Sequence, residues 1–347
     1  MRTRSSLARK IVNPSAAVRA PKGFTAVPPE LAWRPMKQLF GGLMAVSLCL
    51  SGSAQAIPAP ASAKSARPIP AIERVVIIGV DGLRPDVLLR ADAPVLRGLM
   101  AQGTFTLWAQ TTALATTLPS FTSMLTGVAP RKHAVYWDKL LPIAPAEWPI
   151  RPTLFDMAKR AGYTTALVAG KAKFTHLNKP GTLDAFFAPP EDKCPDEIVA
   201  TEAERVIAAL KPDVLFVHFP SVDTAGHSFG WGSPEQLAAV AHADAQVGRV
   251  LAALERAGLR AGTLIIISTD HGGAGKTHGP DDPRSRTIPW IVSGPGVKPG
   301  YDLAQLGDLN LRTEDTCATA CYVLGLPLPD YFDGKPVLAA FAQSVAP

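Results

Sequence analysis

The chain has 347 residues, 47% of them hydrophobic and 18% charged, which excludes a disordered polymer and leaves ample length for a buried core. The formal charge of +6 does not mark a nucleic-acid partner: residues 1–56 carry 8 Lys+Arg against 1 Asp+Glu, and the remainder carries 27 against 28. Gly 28 and Pro 33 recur without a fixed period, so collagen-like and low-complexity architectures fail as well.

In chain order, the first feature is a leader over residues 1–56. Arg34 and Lys37 precede an uncharged apolar run from Leu39 to Leu50, and small residues follow as far as Ala54-Gln55-Ala56. Basic, apolar, then small-x-small is the order of a secretory signal, and the run is short for a membrane span. The stretch before Met36 is long for the basic part, so Met36 is an alternative start. Cys49 follows Leu48 where a lipid-attachment site wants a small residue, so no lipoprotein is expected. These features predict a periplasmic or secreted protein with no membrane span after cleavage. Residues 57–71 are rich in Pro and Ala and read as an extended tether. Cys194, Cys317 and Cys321 remain beyond the leader, too few for a disulfide framework, and the last two read as small buried residues.

Residues 72–343 are expected to form a single domain. Buried strands are predicted at Val75–Val80, Thr164–Ala169, Val214–Phe219, Thr263–Ser268 and Ile288–Val292. Helices are predicted near Ala93–Gln102, Pro119–Leu125, Thr153–Ala161, Asp196–Leu210, Pro234–Ala257 and Thr313–Leu324. Ser233 followed by Pro234 and Gln236 is a helix start, with a capping hydroxyl and proline in the first turn. Strand–helix alternation with nearly unbroken apolar strands argues an α/β fold, its mostly parallel central sheet covered by helices on both faces.

Acidic residues and histidines follow the ends of these strands, where open α/β sheets place their sites. Asp81 follows Val75–Val80; Asp223 and His227 follow Val214–Phe219; Asp270 and His271 follow Thr263–Ser268, and a glycine-rich turn returns the chain to His278. Three carboxylates and three imidazoles exceed one tetrahedral site and divide between two divalent metals, zinc being the ion suited to this mix. Thr117 sits at the start of a helix, where free backbone N–H groups favour an anion, and metal coordination would make its hydroxyl a nucleophile. The combination suits phosphoryl transfer. His133, His218 and His242 join no carboxylate in a comparable setting and read as structural.

Val-Asp81-Gly-Leu-Arg-Pro-Asp, Thr117-Leu-Pro-Ser with Met-Leu-Thr-Gly after it, Asp223-x-x-x-His227 and Thr-Asp270-His271-Gly-Gly together resemble the alkaline phosphatase superfamily. Within it they are most similar to the type I phosphodiesterase/nucleotide pyrophosphatase branch, over Arg74 to Val337. The resemblance implies one zinc on Asp81, Thr117, Asp270 and His271, a second on Asp223, His227 and His278, and a covalent intermediate on Thr117. It also implies a small-molecule phosphoester substrate. Ser120 stands where nucleotide-cleaving relatives commonly carry Asn, and His278 follows His271 by only seven residues, a spacing that suits a compact bacterial member.

Lys171 and Lys173 follow the Thr164–Ala169 strand and are similar to the basic pair that phosphomonoesterases and phosphonoacetate hydrolases of the superfamily direct at a phosphoryl group. Two extra cations favour a dianionic monoester, so the alternative to a phosphodiesterase is a phosphomonoesterase or phosphonoacetate hydrolase. A sulfatase is disfavoured because Thr117 cannot form the aldehyde nucleophile, and a phosphoethanolamine transferase because one short apolar run is not a multi-span anchor. A non-catalytic zinc protein would have no use for Thr117 beside six ligands. Residues 128–152, with Tyr136, Trp137 and Trp148, read as a loop flanking the pocket. Leaving group and oligomeric state stay open.

Overall fold

Val75, Val76, Ile77, Ile78 and Val80 leave strand β1 (Arg74–Val80) with no water-facing side, so it lies at the centre of a sheet covered twice. The computed structural model describes residue 64 and residues 66–141, 148–192 and 194–342. The leader and Ile57–Ala63 of the tether lie outside the described residues.

The other strands are β2 (Thr104–Gln110), β3 (Thr165–Ala169), β4 (Ala185–Phe187), β5 (Val214–Phe219), β6 (Thr263–Ser268), β7 (Thr287–Ser293) and β8 (Tyr301–Asp302). They form one eight-stranded sheet in the order β4-β3-β5-β1-β6-β7-β2-β8. Strands β4, β3, β5, β1 and β6 are parallel, and β7 runs against both of its neighbours. The sheet is therefore mixed but mostly parallel, an alkaline-phosphatase-like α/β arrangement. All five predicted strands are present; β2, β4 and β8 carry weaker patterns.

The helices are α1 (Pro85–Arg90), α2 (Pro94–Gln102), α3 (Thr117–Thr126), α4 (Pro130–His133), α5 (Leu154–Arg160), α6 (Asp196–Leu210), α7 (Ser221–Phe229), α8 (Pro234–Arg256), α9 (Pro283–Arg286) and α10 (Asp315–Val323). Alternate residues of β1 feed two cores, as a strand's period of two requires. Val75 and Ile77 pack with α3, α5 and α10, while Val76, Ile78 and Val80 pack with α1, α2, α6 and α8. Ser233 caps α8 by accepting from the Gln236 N–H at 3.2 Å. No described helix is long and apolar enough to cross a membrane. Cys194, Cys317 and Cys321 are free thiols, the last two buried in α10.

Two glycines let the site assemble. A Cβ on Gly79 would fall 2.4 Å from the Phe121 ring, so the bare backbone there admits α3 against β1. Gly82 turns the chain after β1 at φ +71°, and a Cβ there would come within 2.9 Å of the Asp223 backbone.

His133 ties the end of α4 to α3. Its Nδ1 accepts from the Val135 N–H at 3.0 Å, so Nε2 carries the proton and donates to Ser123 Oγ at 2.9 Å. Burial pushes its pKa down from 6.5 to about 4. The unfolded chain therefore takes up a proton below about pH 6.5 that the folded chain refuses, and stability is lost as pH falls towards 4. His133→Gln is expected to shrink the drop in unfolding free energy between neutral and mildly acidic pH by about 2 kcal/mol, measured by denaturant titration at both. An unchanged drop would contradict this reading.

Candidate active site

The acids enter from three adjacent strands. Asp81 directly follows β1, Asp223 lies in the first turn of α7 beyond β5, and Asp270 lies two residues beyond β6. Each carboxylate is held by one oxygen while the other stays bare. Asp81 Oδ2 lies 2.9 Å from His218 Nε2 and 2.7 Å from Lys171 Nζ. Asp223 Oδ2 accepts from Lys171 Nζ at 2.7 Å. Asp270 Oδ1 accepts from the Gly82 N–H at 3.2 Å and the Thr269 hydroxyl at 3.0 Å. Asp81 Oδ1, Asp223 Oδ1 and Asp270 Oδ2 are buried and have no hydrogen-bond partner.

The imidazoles face those bare oxygens. His271 Nδ1 donates to the Gly272 carbonyl at 2.8 Å, His278 Nδ1 to the Ala115 carbonyl at 2.8 Å, and His227 Nδ1 to the Lys276 carbonyl at 3.0 Å. A carbonyl on Nδ1 fixes the proton there and leaves the Nε2 lone pair for a cation, the arrangement usual behind metal-ligating histidine. His271 Nε2 lies 3.1 Å from Asp270 Oδ2 and 3.5 Å from Asp81 Oδ1. His227 Nε2 and His278 Nε2 lie 3.4 and 3.9 Å from Asp223 Oδ1. His271 and His278 stack at 3.6 Å, and Trp231 braces His227 and His278 from behind while donating to the Gly82 carbonyl.

The donors form two groups with the spread of metal sites, Asp81–Asp270–His271 and Asp223–His271–His278. Orphaned buried oxygens opposed to bare imidazole nitrogens demand a cation, because an unpaired buried polar atom is otherwise costly. Burial opposes charge on His271, yet Asp270, Asp223 and Asp81 outweigh it and raise its pKa to about 10, so without a metal Nε2 holds a second proton that an incoming cation displaces. Burial likewise opposes ionisation of Asp81, and Lys171, His218 and His271 overcome it, holding the carboxyl well below its usual range. The residues fit a pair of divalent ions.

Thr117 opens α3, buried, with Oγ1 3.5 Å from Lys171 Nζ. Thus Asp81, Thr117, Asp223, His227, Asp270, His271, His278 and Lys171 come together. Lys171 does so against the carboxylates rather than facing an open pocket. Ser120 Oγ, one turn into α3, lies 3.0 Å from Thr112 Oγ1. Lys173 Nζ goes to Asp138 at 3.1 Å and Asp192 at 3.9 Å instead of joining the cluster. Sequence reasoning missed His218, which anchors Asp81, and Asp138, which accepts from the Leu118 N–H at 2.7 Å. The signal for His218 was a lone polar residue in the buried strand Val-Leu-Phe-Val-His-Phe. Asp138 had none, since no local pattern ties residues 128–152 to α3.

Residues 75–282 match the family described as Type I phosphodiesterase / nucleotide pyrophosphatase. The chain belongs to that family. An uncharacterized pyrophosphatase/phosphodiesterase of Schizosaccharomyces pombe is 23% identical over 221 residues, 57% of this chain and 44% of that protein. Human ectonucleotide pyrophosphatase/phosphodiesterase family member 1 is 25% identical over 224 residues, 57% of this chain and 23% of that protein. The chain thus spans less than half the length of these relatives. Murine ectonucleotide pyrophosphatase/phosphodiesterase 5, solved as an inactive Thr-to-Ala form with AMP, shares the fold with a TM-score of 0.64. That likeness covers 77% of this chain and 98% of the murine chain at 14% identity.

His227→Ala is expected to lower the bound divalent metal from about two equivalents to about one, read by elemental analysis, with turnover falling roughly 100-fold. Retention of both equivalents would remove His227 from the ligand set.

Proposed function

We propose that this chain is an exported phosphoester hydrolase of the phosphodiesterase type that uses two zinc ions and a Thr117 nucleophile. The observation that carries the reading is the convergence of three orphaned carboxylate oxygens with His271 and His278 in two donor groups, His227 Nε2 lying 3.4 Å from Asp223 Oδ1 and the Thr117 hydroxyl beside Lys171. Asp81, Thr117, Asp270 and His271 would hold one ion, and Asp223, His227 and His278 the other. Zinc bound there would supply Lewis acidity to the reacting oxygens.

The chain's own groups do the rest. Lys171, between Asp81 and Asp223, presents a cation to Thr117 Oγ1 that favours loss of the hydroxyl proton. The oxygen bonds to phosphorus as the bond to the leaving oxygen breaks, and the proton given up by Thr117 passes through solvent to the leaving alcohol. Water then cleaves the Thr117 phosphoester, freeing the phosphate product and restoring the hydroxyl. A diester is favoured over a monoester because Lys171 and Lys173 are both committed to carboxylates and leave little charge for a second phosphoryl negative charge. The murine relative's inactive Thr-to-Ala form supports the role of the threonine. The basic, apolar and small-residue order of residues 1–56 supports export.

Thr117→Ala, metal-replete, is expected to lose phosphodiester hydrolysis by about three orders of magnitude, measured with bis(4-nitrophenyl) phosphate alongside metal content. Undiminished turnover with metal bound would take the nucleophile away from Thr117.

A further inference from the structure

We propose that Asp138 sets the charge class of the substrate, admitting a monoanionic phosphodiester and turning away a dianionic phosphomonoester. The inference rests on the phosphoester-hydrolase reading and deepens it.

Two features beside Thr117 would welcome a second negative charge on a phosphoryl group: the first turn of α3, with its free N–H groups, and Lys173. Asp138 already engages both, through one N–H of that turn and the Lys173 ammonium. Its Oδ1 accepts from the Leu118 N–H at 2.7 Å, one residue past Thr117, and its Oδ2 lies 3.1 Å from Lys173 Nζ. Asp192 backs the same lysine, with Oδ2 3.9 Å from Nζ and Oδ1 accepting from the Lys173 N–H at 3.4 Å. Lys171 offers no substitute, since it is held at 2.7 Å by both Asp81 and Asp223.

The carboxylate is built into place. Residues 134–141 are tied to the 3-10 turn that carries Lys173 (Ala172–Leu177), with Trp137 edge-on to His176 at 5.6 Å and the Leu141 N–H donating to His176 Nε2 at 3.1 Å. Lys173 is buried, whereas the Asp138 side chain keeps 30% of its exposure and so faces the outside of the pair. A monoanionic diester meets a helix start and a lysine whose charge is spent. A dianionic monoester meets the same pair with a like charge added, and repulsion at this range discriminates strongly where water is partly excluded.

The test compares zinc-loaded wild type with Asp138→Asn and with the Asp138→Asn/Lys173→Met double variant. Asparagine keeps an oxygen for the Leu118 N–H and deletes only the charge. Two ratios are read at mildly alkaline pH: kcat/KM on 4-nitrophenyl phosphate over bis(4-nitrophenyl) phosphate, and calorimetric affinity for inorganic phosphate over dimethyl phosphate. Asp138→Asn is expected to raise both ratios about tenfold towards the dianion, and the double variant to lose that gain. Unchanged ratios in Asp138→Asn, or a gain that survives loss of Lys173, would overturn the proposal. A wild type that cleaves neither ester would overturn the hydrolase reading, and the binding ratio would still decide the role of Asp138.

Discussion

Three carboxylates buried within one small centre repel one another, and the rest of the site is arranged around that repulsion. Asp81, Asp223 and Asp270 are nearly or wholly excluded from water, where charge is costly unless paired. Lys171 bridges two of them and His218 anchors one, but one oxygen of each acid remains without a partner. The unsatisfied oxygens face imidazoles whose protons are pinned on the far nitrogen. A centre this short of positive charge is built to receive cations, and Thr117 stands beside it.

The sheet makes the convergence possible. Parallel strands β5, β1 and β6 end together, so residues far apart in sequence emerge side by side. Gly79 and Gly82 remove the side chains that would keep α3 and α7 at a distance. Backbone carbonyls of Gly272, Lys276 and Ala115 then orient the three histidines, so the fold itself acts as the outer support of the site.

Much of this was legible in the sequence because it rests on local signals. The strands bearing the acids are nearly unbroken apolar runs, and Asp81, Asp223, Asp270 and His271 follow their ends within four residues. Strand β2 was harder to see because Thr-Phe-Thr-Leu-Trp-Ala-Gln is only partly buried, and β4 and β8 have three and two residues. Helix α7 lacks an unbroken apolar stripe in Ser-Val-Asp-Thr-Ala-Gly-His-Ser-Phe, so its nine residues did not announce a helix. Lys171 and Lys173 were visible as cations after β3, but not their partners. Asp138 is 35 residues from Lys173, and only the tertiary fold brings the two carboxylate oxygens of Asp138 to a lysine and a helix start.

One fold can carry several chemistries, so the functional reading rests on the site and on membership of the family rather than on the sheet. Anomalous diffraction at the zinc absorption edge, from crystals of the zinc-loaded chain, tests the central claim most directly. The account predicts two separate peaks, one among Asp81, Asp270 and His271 and one among Asp223, His227 and His278. No peak among these residues, with their side chains ordered, would contradict it.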